Sequence, residues 1–108
     1  MAYKVFFTAR AQADIAAAFA YLEERAPIAA RRWYNSIMTE IVSLGEMPNR
    51  CPLTCEAGLE FRQLVRGRYR IMFDVVEDTK TVRILTVRHG ARRRLTNEEI
   101  QRMLNDFD

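Results

Sequence analysis

Residues 60–89 read EFRQLVRGRYRIMFDVVEDTKTVRILTVRH, and the alternation within this stretch decides the fold. Glu60 to Val65 predicts a strand that runs into a turn at Arg66-Gly67-Arg68. Tyr69 to Val76 predicts a second, with Ile71, Phe73 and Val75 on one side and Arg70, Met72 and Asp74 on the other. The polar run Glu77-Asp78-Thr79-Lys80 turns the chain again, and Thr81 to Arg88 returns as a third. Three short period-two runs joined by tight turns predict an antiparallel meander with one covered face.

The cover for that face lies upstream. Tyr3 to Phe7 is a short β-prone run ending at Thr8, a helix N-cap residue. From Ala9 the period changes: Ile15, Phe19, Leu22 and Ala26 recur at helical spacing until Pro27 stops the helix and opens another. The second helix carries Ala30, Trp33, Tyr34, Ile37, Ile41 and Leu44 on one stripe and ends near Gly45. Two amphipathic helices joined this tightly predict an αα-hairpin whose stripes bury against the meander, with Trp33 meeting Phe73 at the contact. Residues 46–58, with Pro48, Pro52 and Gly58, read as a loop. Downstream, Arg92-Arg93-Arg94 reads as a basic loop, and Thr96 with Glu99 forms a capping box opening a last helix over 96–108. The expected fold class is α+β in one domain, residues 1–108. It comprises an N-terminal strand, an αα-hairpin packed on a small antiparallel sheet, and a C-terminal helix.

Composition excludes several function classes. A chain of 108 residues, 49% hydrophobic and 29% charged, suits one soluble core. No apolar run approaches the roughly 20 residues needed to span a bilayer. The N-terminal run is unlike a secretory leader, so a cytoplasmic location and no membrane partner are expected. Cys51 and Cys55 with the lone His89 fall short of a zinc site and read as incidental thiols. There is no glycine-rich phosphate loop and no Ser-His-Asp pattern. No metal and no cofactor are expected.

The charge is the informative part. A net +3 conceals a segment, residues 60–95, with ten basic groups against four acidic ones. Residues 1–59 balance six against six, and residues 96–108 carry one arginine against four carboxylates. Fifteen of the seventeen basic residues are arginine, whose planar fork suits phosphate or carboxylate and stays charged when partly buried.

The order strand, αα-hairpin, loop, meander resembles the RelE/ParE toxin superfamily of type II toxin–antitoxin systems, its ParE-like plasmid stabilisation branch above all. Pro27 followed by Ala29-Ala30 and Trp33-Tyr34 is similar to the family's hairpin. Residues Arg62 to Phe73, with Gly67-Arg68-Tyr69-Arg70 entering an aromatic strand, resemble its strand pair. Val82 to Arg88 followed by His89-Gly90-Ala91-Arg92-Arg93 resembles its closing strand and basic turn. The resemblance covers roughly residues 1–94; the last helix departs from it and could dock on the sheet, dimerise or bind a partner.

That resemblance implies a bacterial toxin neutralised by a cognate antitoxin. Its ParE-like branch inhibits DNA gyrase by binding, without chemistry of its own. The alternative is a RelE-like endoribonuclease acting on mRNA at the ribosome, where Arg70 would steady a scissile phosphate and His89 would serve as acid or base. The Gly-Arg-Tyr-Arg and His-Gly-Ala-Arg-Arg elements lean toward the first. Arg66, Arg68, Arg83, Arg88, Arg92, Arg93 and Arg94 are the residues expected to meet the antitoxin or target, against the plainer reading of a solvated surface. For Arg70 the plainer reading is a structural ion pair with Asp74 or Glu60, or a solvated strand residue.

Overall fold

The structure, a computed structural model, describes residues 2–56 and 58–90. Strand β1 (Lys4–Phe7) leads into helices α1 (Ala9–Arg25) and α2 (Pro27–Ser43), and four strands follow: β2 (Leu53–Glu56), β3 (Leu59–Arg66), β4 (Tyr69–Val76) and β5 (Thr81–His89). They form one sheet in the order β1-β5-β4-β3-β2. The predicted meander is β3-β4-β5, antiparallel throughout. Two features exceed the expectation of a purely antiparallel sheet. β1 pairs in parallel with β5, Lys4 opposite Thr81 and Phe7 opposite Ile84. Residues 53–56, read as loop between Pro52 and Gly58, pair with β3 as its outer neighbour. Four residues are too few to show a period, so only the partner strand reveals them. The expected helix over 96–108 and the run Arg92-Arg93-Arg94 lie outside the described residues.

Local chemistry sets the boundaries. Pro27 sits in the first turn of α2, where its missing N–H costs nothing and its fixed φ suits the helix. The β3–β4 turn is held at Gly67, whose φ of 59° would strain any residue with a Cβ. Lys80, at φ 50°, ends the 3₁₀ turn Glu77–Thr79 that joins β4 to β5.

Both helices lie on one face of the sheet. Ile37 and Ile41 of α2, its C-cap Leu44, and Ala11 and Ile15 of α1 pack on Ile71, Phe73, Val82, Ile84 and Val87, all buried. Each large aliphatic or aromatic side chain so buried contributes about 1.5–3 kcal/mol before chain entropy is counted. Trp33 and Tyr34, expected in the core, are less deep. Trp33 is half-buried: it packs against the cluster that contains Phe73, and its ring lies on Tyr69, ring centres 5.1 Å apart. Tyr34 is 40% exposed and touches Phe19 edge-on. The apolar stripe of α2 is wider than its contact with the sheet, so its flank stays at the surface. The opposite face of the sheet is not bare: Phe61, Met72 and Leu85 are buried but stand outside the helix-side cluster.

A β-bulge breaks the alternation of β5. Met72 faces Thr86 while Phe73 faces Ile84, leaving Leu85 as the additional residue. Val82 and Ile84 join the helix-side core, and beyond the bulge Val87 joins it too. Strict alternation would put Leu85, Val87 and His89 on one face; the bulge separates Leu85 from the other two.

β1 ends at Phe7, while β5 continues to His89, so the last part of β5 lacks a strand on that side. Side chains of α1 and its cap close the gap. The hydroxyl of Thr8 is shared between the carbonyls of Ile84 (2.8 Å) and Leu85 (3.1 Å), and its oxygen accepts the Ala11 N–H as the N-cap of α1. Asp14 then accepts from the backbone N–H of Val87 (3.2 Å) and from the Thr86 hydroxyl. Thr8 is 1% exposed, so water cannot replace those bonds. We expect Thr8→Ala to destabilise the fold by about 2–3 kcal/mol and Thr8→Ser by under about 1 kcal/mol in urea titrations. Equal losses would mean that the methyl, not the hydroxyl, carries the effect.

The β4–β5 turn is tied to the N-terminus through Glu77. Its carboxylate accepts from Asn49 (3.0 Å), Lys80 (3.2 Å) and Tyr3 (3.0 Å). Those bonds, Asn49's first among them, hold its pKa below the ordinary value. A lowered folded-state pKa gives stability that is present above the unfolded value and is lost as pH falls through the folded one. Acid unfolding of the wild type should therefore be steeper below about pH 4.5 than that of Glu77→Gln. Superimposable acid limbs in the two proteins would count against this network.

Candidate functional site

The meander distributes its arginines to two faces and to a turn. On the face away from the helices, Arg70 of β4 reaches Glu56 of β2 at 3.2 Å and the Gln63 side chain at 3.3 Å. Glu56 is 3% exposed and the Arg70 side chain 18%, so this pair is largely withdrawn from water. Its partner is thus neither Asp74 nor Glu60. Asp74 is engaged by Arg83 across the β4–β5 ladder, with Nε to Oδ1 at 2.7 Å and a second bond from the terminal nitrogen. Arg88, directly across the ladder from Arg70, is 5% exposed. Two guanidinium groups on adjacent strands repel, and the buried Glu56 carboxylate offsets that repulsion at Arg70.

Arg66 belongs to the other face. Its Nε donates to the Ser36 hydroxyl at 2.8 Å, and Glu40 lies 3.8 Å from its terminal nitrogen, which ties the end of β3 to α2. Arg68 is exposed in the β3–β4 turn, and its carbonyl accepts the Gly90 N–H at 2.6 Å. The arginines read together from the sequence therefore do not form one patch. Arg83 and Arg88 share the outer face with Arg70, Arg66 braces α2, and Arg68 projects from the turn. Arg92, Arg93 and Arg94 lie outside the described residues.

His89 ends β5 on the helix side. Its ring meets Tyr69 edge-on at 5.3 Å, and Tyr69 in turn rests on Trp33. Beside this stack lies a cleft of about 480 Å³ between α1 and the end of β5. Asp14, Ala17, Ala18 and Tyr21 form its helical wall; Tyr69, Val87 and His89 form the strand wall. Arg70 and His89 thus project from opposite faces of the sheet.

Among the described residues no cluster of His, Cys, Asp and Glu could hold a metal ion, and no helix is long and apolar enough to cross a membrane. Cys51 is buried and Cys55 exposed, both as free thiols. Burial pushes the Cys51 thiol pKa up, against the pull of Arg50 and Arg62, which disfavours the thiolate needed of a nucleophile.

A family model for the ParE toxin of type II toxin–antitoxin systems matches residues 5–94. The chain belongs to that family. No curated protein sequence matches it significantly. Three solved structures share the fold. The chromosomal ParDE system of P. aeruginosa superposes with a TM-score of 0.66 at 20% identity, covering 82% of this chain and 96% of that one. The RelBE2 toxin–antitoxin complex of Mycobacterium tuberculosis gives 0.62 at 23%, covering 82% and 99%. The archaeal RelE–RelB complex of Pyrococcus horikoshii OT3 gives 0.57 at 16%, covering 86% and 100%. At these identities the likeness is one of fold.

Sequence reasoning missed Asp14 and Glu56. Asp14 lies outside the apolar stripe read for the first helix, and Glu56 lies within residues 46–58, read as loop. Neither has a local signal, because both act on strands far along the chain. Removing one partner of a withdrawn ion pair leaves the other uncompensated, so Glu56→Ala should cost about 3–5 kcal/mol. In thermal or urea unfolding, Glu56→Ala combined with Arg70→Met should recover part of that loss. A double variant no more stable than the single one would show that Glu56 acts through other contacts.

Proposed function

We propose that this ParE-family toxin inhibits DNA gyrase in the cytoplasm by binding it, and that a cognate antitoxin neutralises it. The family match supports the toxin, and the solved structures with this fold, which come from toxin–antitoxin systems and complexes, support the antitoxin. The observation that carries the choice of a binder over a nuclease is the placement of Arg70 and His89 on opposite faces of the sheet. A phosphodiester cleaved by general acid–base chemistry needs the proton-transfer group and the charge-stabilising group within hydrogen-bond reach of one phosphate. His89 is the chain's only histidine, so no second imidazole substitutes for it.

The competing reading is a ribosome-dependent endoribonuclease. In its favour stands the outer face, where Arg70 is oriented by Glu56 and Gln63 with Arg88 across the ladder, a fixed positive site of the kind that receives phosphate. On that reading Arg70 acts without His89.

Induced expression in cells, with gyrase-mediated DNA cleavage and ribosomal mRNA cleavage read separately, tests the choice. We expect DNA cleavage complexes and loss of supercoiling, an intact message pool, and toxicity unchanged in His89→Ala. Cleaved messages that disappear in Arg70→Ala would establish the ribonuclease instead.

A further inference from the structure

We propose that the cleft between α1 and the end of β5 receives an arginine side chain from the antitoxin. This rests on the reading of the protein as an antitoxin-bound toxin and adds the chemistry of one contact. Asp14 is the only carboxylate among its described lining residues. One of its oxygens, Oδ2, is committed to Thr86 and Val87, with the Arg10 Nε 3.9 Å away; Oδ1 accepts no hydrogen bond from the described residues. The two commitments hold the carboxylate in one orientation, so no side-chain entropy is lost there on binding.

Val87 adds a second acceptor. Its N–H points to α1, where Asp14 takes it, and in an antiparallel strand the carbonyl of the same residue points the same way. Ala17 and Ala18 keep the helical wall low, and the rings of Tyr21, Tyr69 and His89 supply flat sides. A guest must therefore bring hydrogen-bond donors and positive charge, and gains from a planar face. Arginine brings all three, with a fork that spans a carboxylate and a carbonyl while lying on an aromatic ring. Tyr21 already hosts such a contact: the Arg25 guanidinium sits 3.7 Å from the centre of its ring. A lysine would satisfy the charge but not the planar stacking. The volume admits one long side chain and the backbone that carries it.

The test uses the full chain and two probes, N-acetyl-arginine methylamide and its neutral citrulline analogue, titrated while the backbone amide signals of Val87 and His89 are followed by NMR. Saturable shifts are expected with the arginine probe at millimolar concentration, at least tenfold weaker with the citrulline probe. Asp14→Asn keeps an acceptor for Val87 and Thr86 but removes the charge, and should lose the preference. If that variant does not fold, Tyr21→Leu, which alters an exposed ring, should weaken the arginine probe several-fold. Equal binding of the two probes, or no binding, overturns the proposal. In parallel, the cognate antitoxin should bind Asp14→Asn at least tenfold more weakly than wild type. Antitoxin that binds both equally overturns the arginine contact and leaves the toxin–antitoxin reading standing. Antitoxin that binds neither overturns that reading and the contact with it. Self-association abolished in Asp14→Asn would assign the cleft to a second copy and overturn the antitoxin as its guest.

Discussion

Every backbone donor and acceptor in a buried strand must find a partner, and β5 is where this demand is hardest to meet. It lies between β4 and β1, but β1 covers only Thr81 to Ile84, and beyond that point the edge faces α1 without a strand partner. Thr8 and Asp14 meet the demand with side-chain oxygens, so the start of α1 is docked by hydrogen bonds as well as by apolar contact. The position of α1 then sets where α2 can lie, and with it the common core around Ile37, Ile41 and Phe73. The bulge at Leu85 belongs to the same arrangement. It falls where the strand partner is exchanged for side chains, and it turns Val87 and His89 toward the helices.

Function follows from which face each charge occupies. The outer face carries cations already oriented by carboxylates, Arg70 by Glu56 and Arg83 by Asp74. The helix side carries the only histidine, set among aromatic rings and a carboxylate. Arg70 and His89 therefore stand on opposite sides of the sheet. The arginine-rich segment therefore overstates the available positive field, because part of its charge is spent holding the fold together.

Much was legible in order of residues. The period-two runs across 60–89, the change to helical spacing at Ala9, Pro27 between the helices and Gly67 in the turn are local signals, and each marks an element that formed where expected. They are legible because amphipathic spacing and backbone restriction act over a few residues. The toxin family was legible for the same reason, through several such elements in a fixed order. The identity of the outer neighbours was not: β2 is too short to show a period, and β1 could have joined either edge.

What the sequence by itself determined, then, is the set of elements, their apolar faces and the concentration of arginine in the meander. Only tertiary structure decided that β1 runs parallel to β5, that Glu56 meets Arg70, that Asp14 completes the edge of a strand 73 residues away, and that His89 and Arg70 part company. The physical reason is common to all four. A pairing between distant residues depends on which backbone edges remain unsatisfied once the core has closed, and a single bulge reverses the facing of every side chain beyond it.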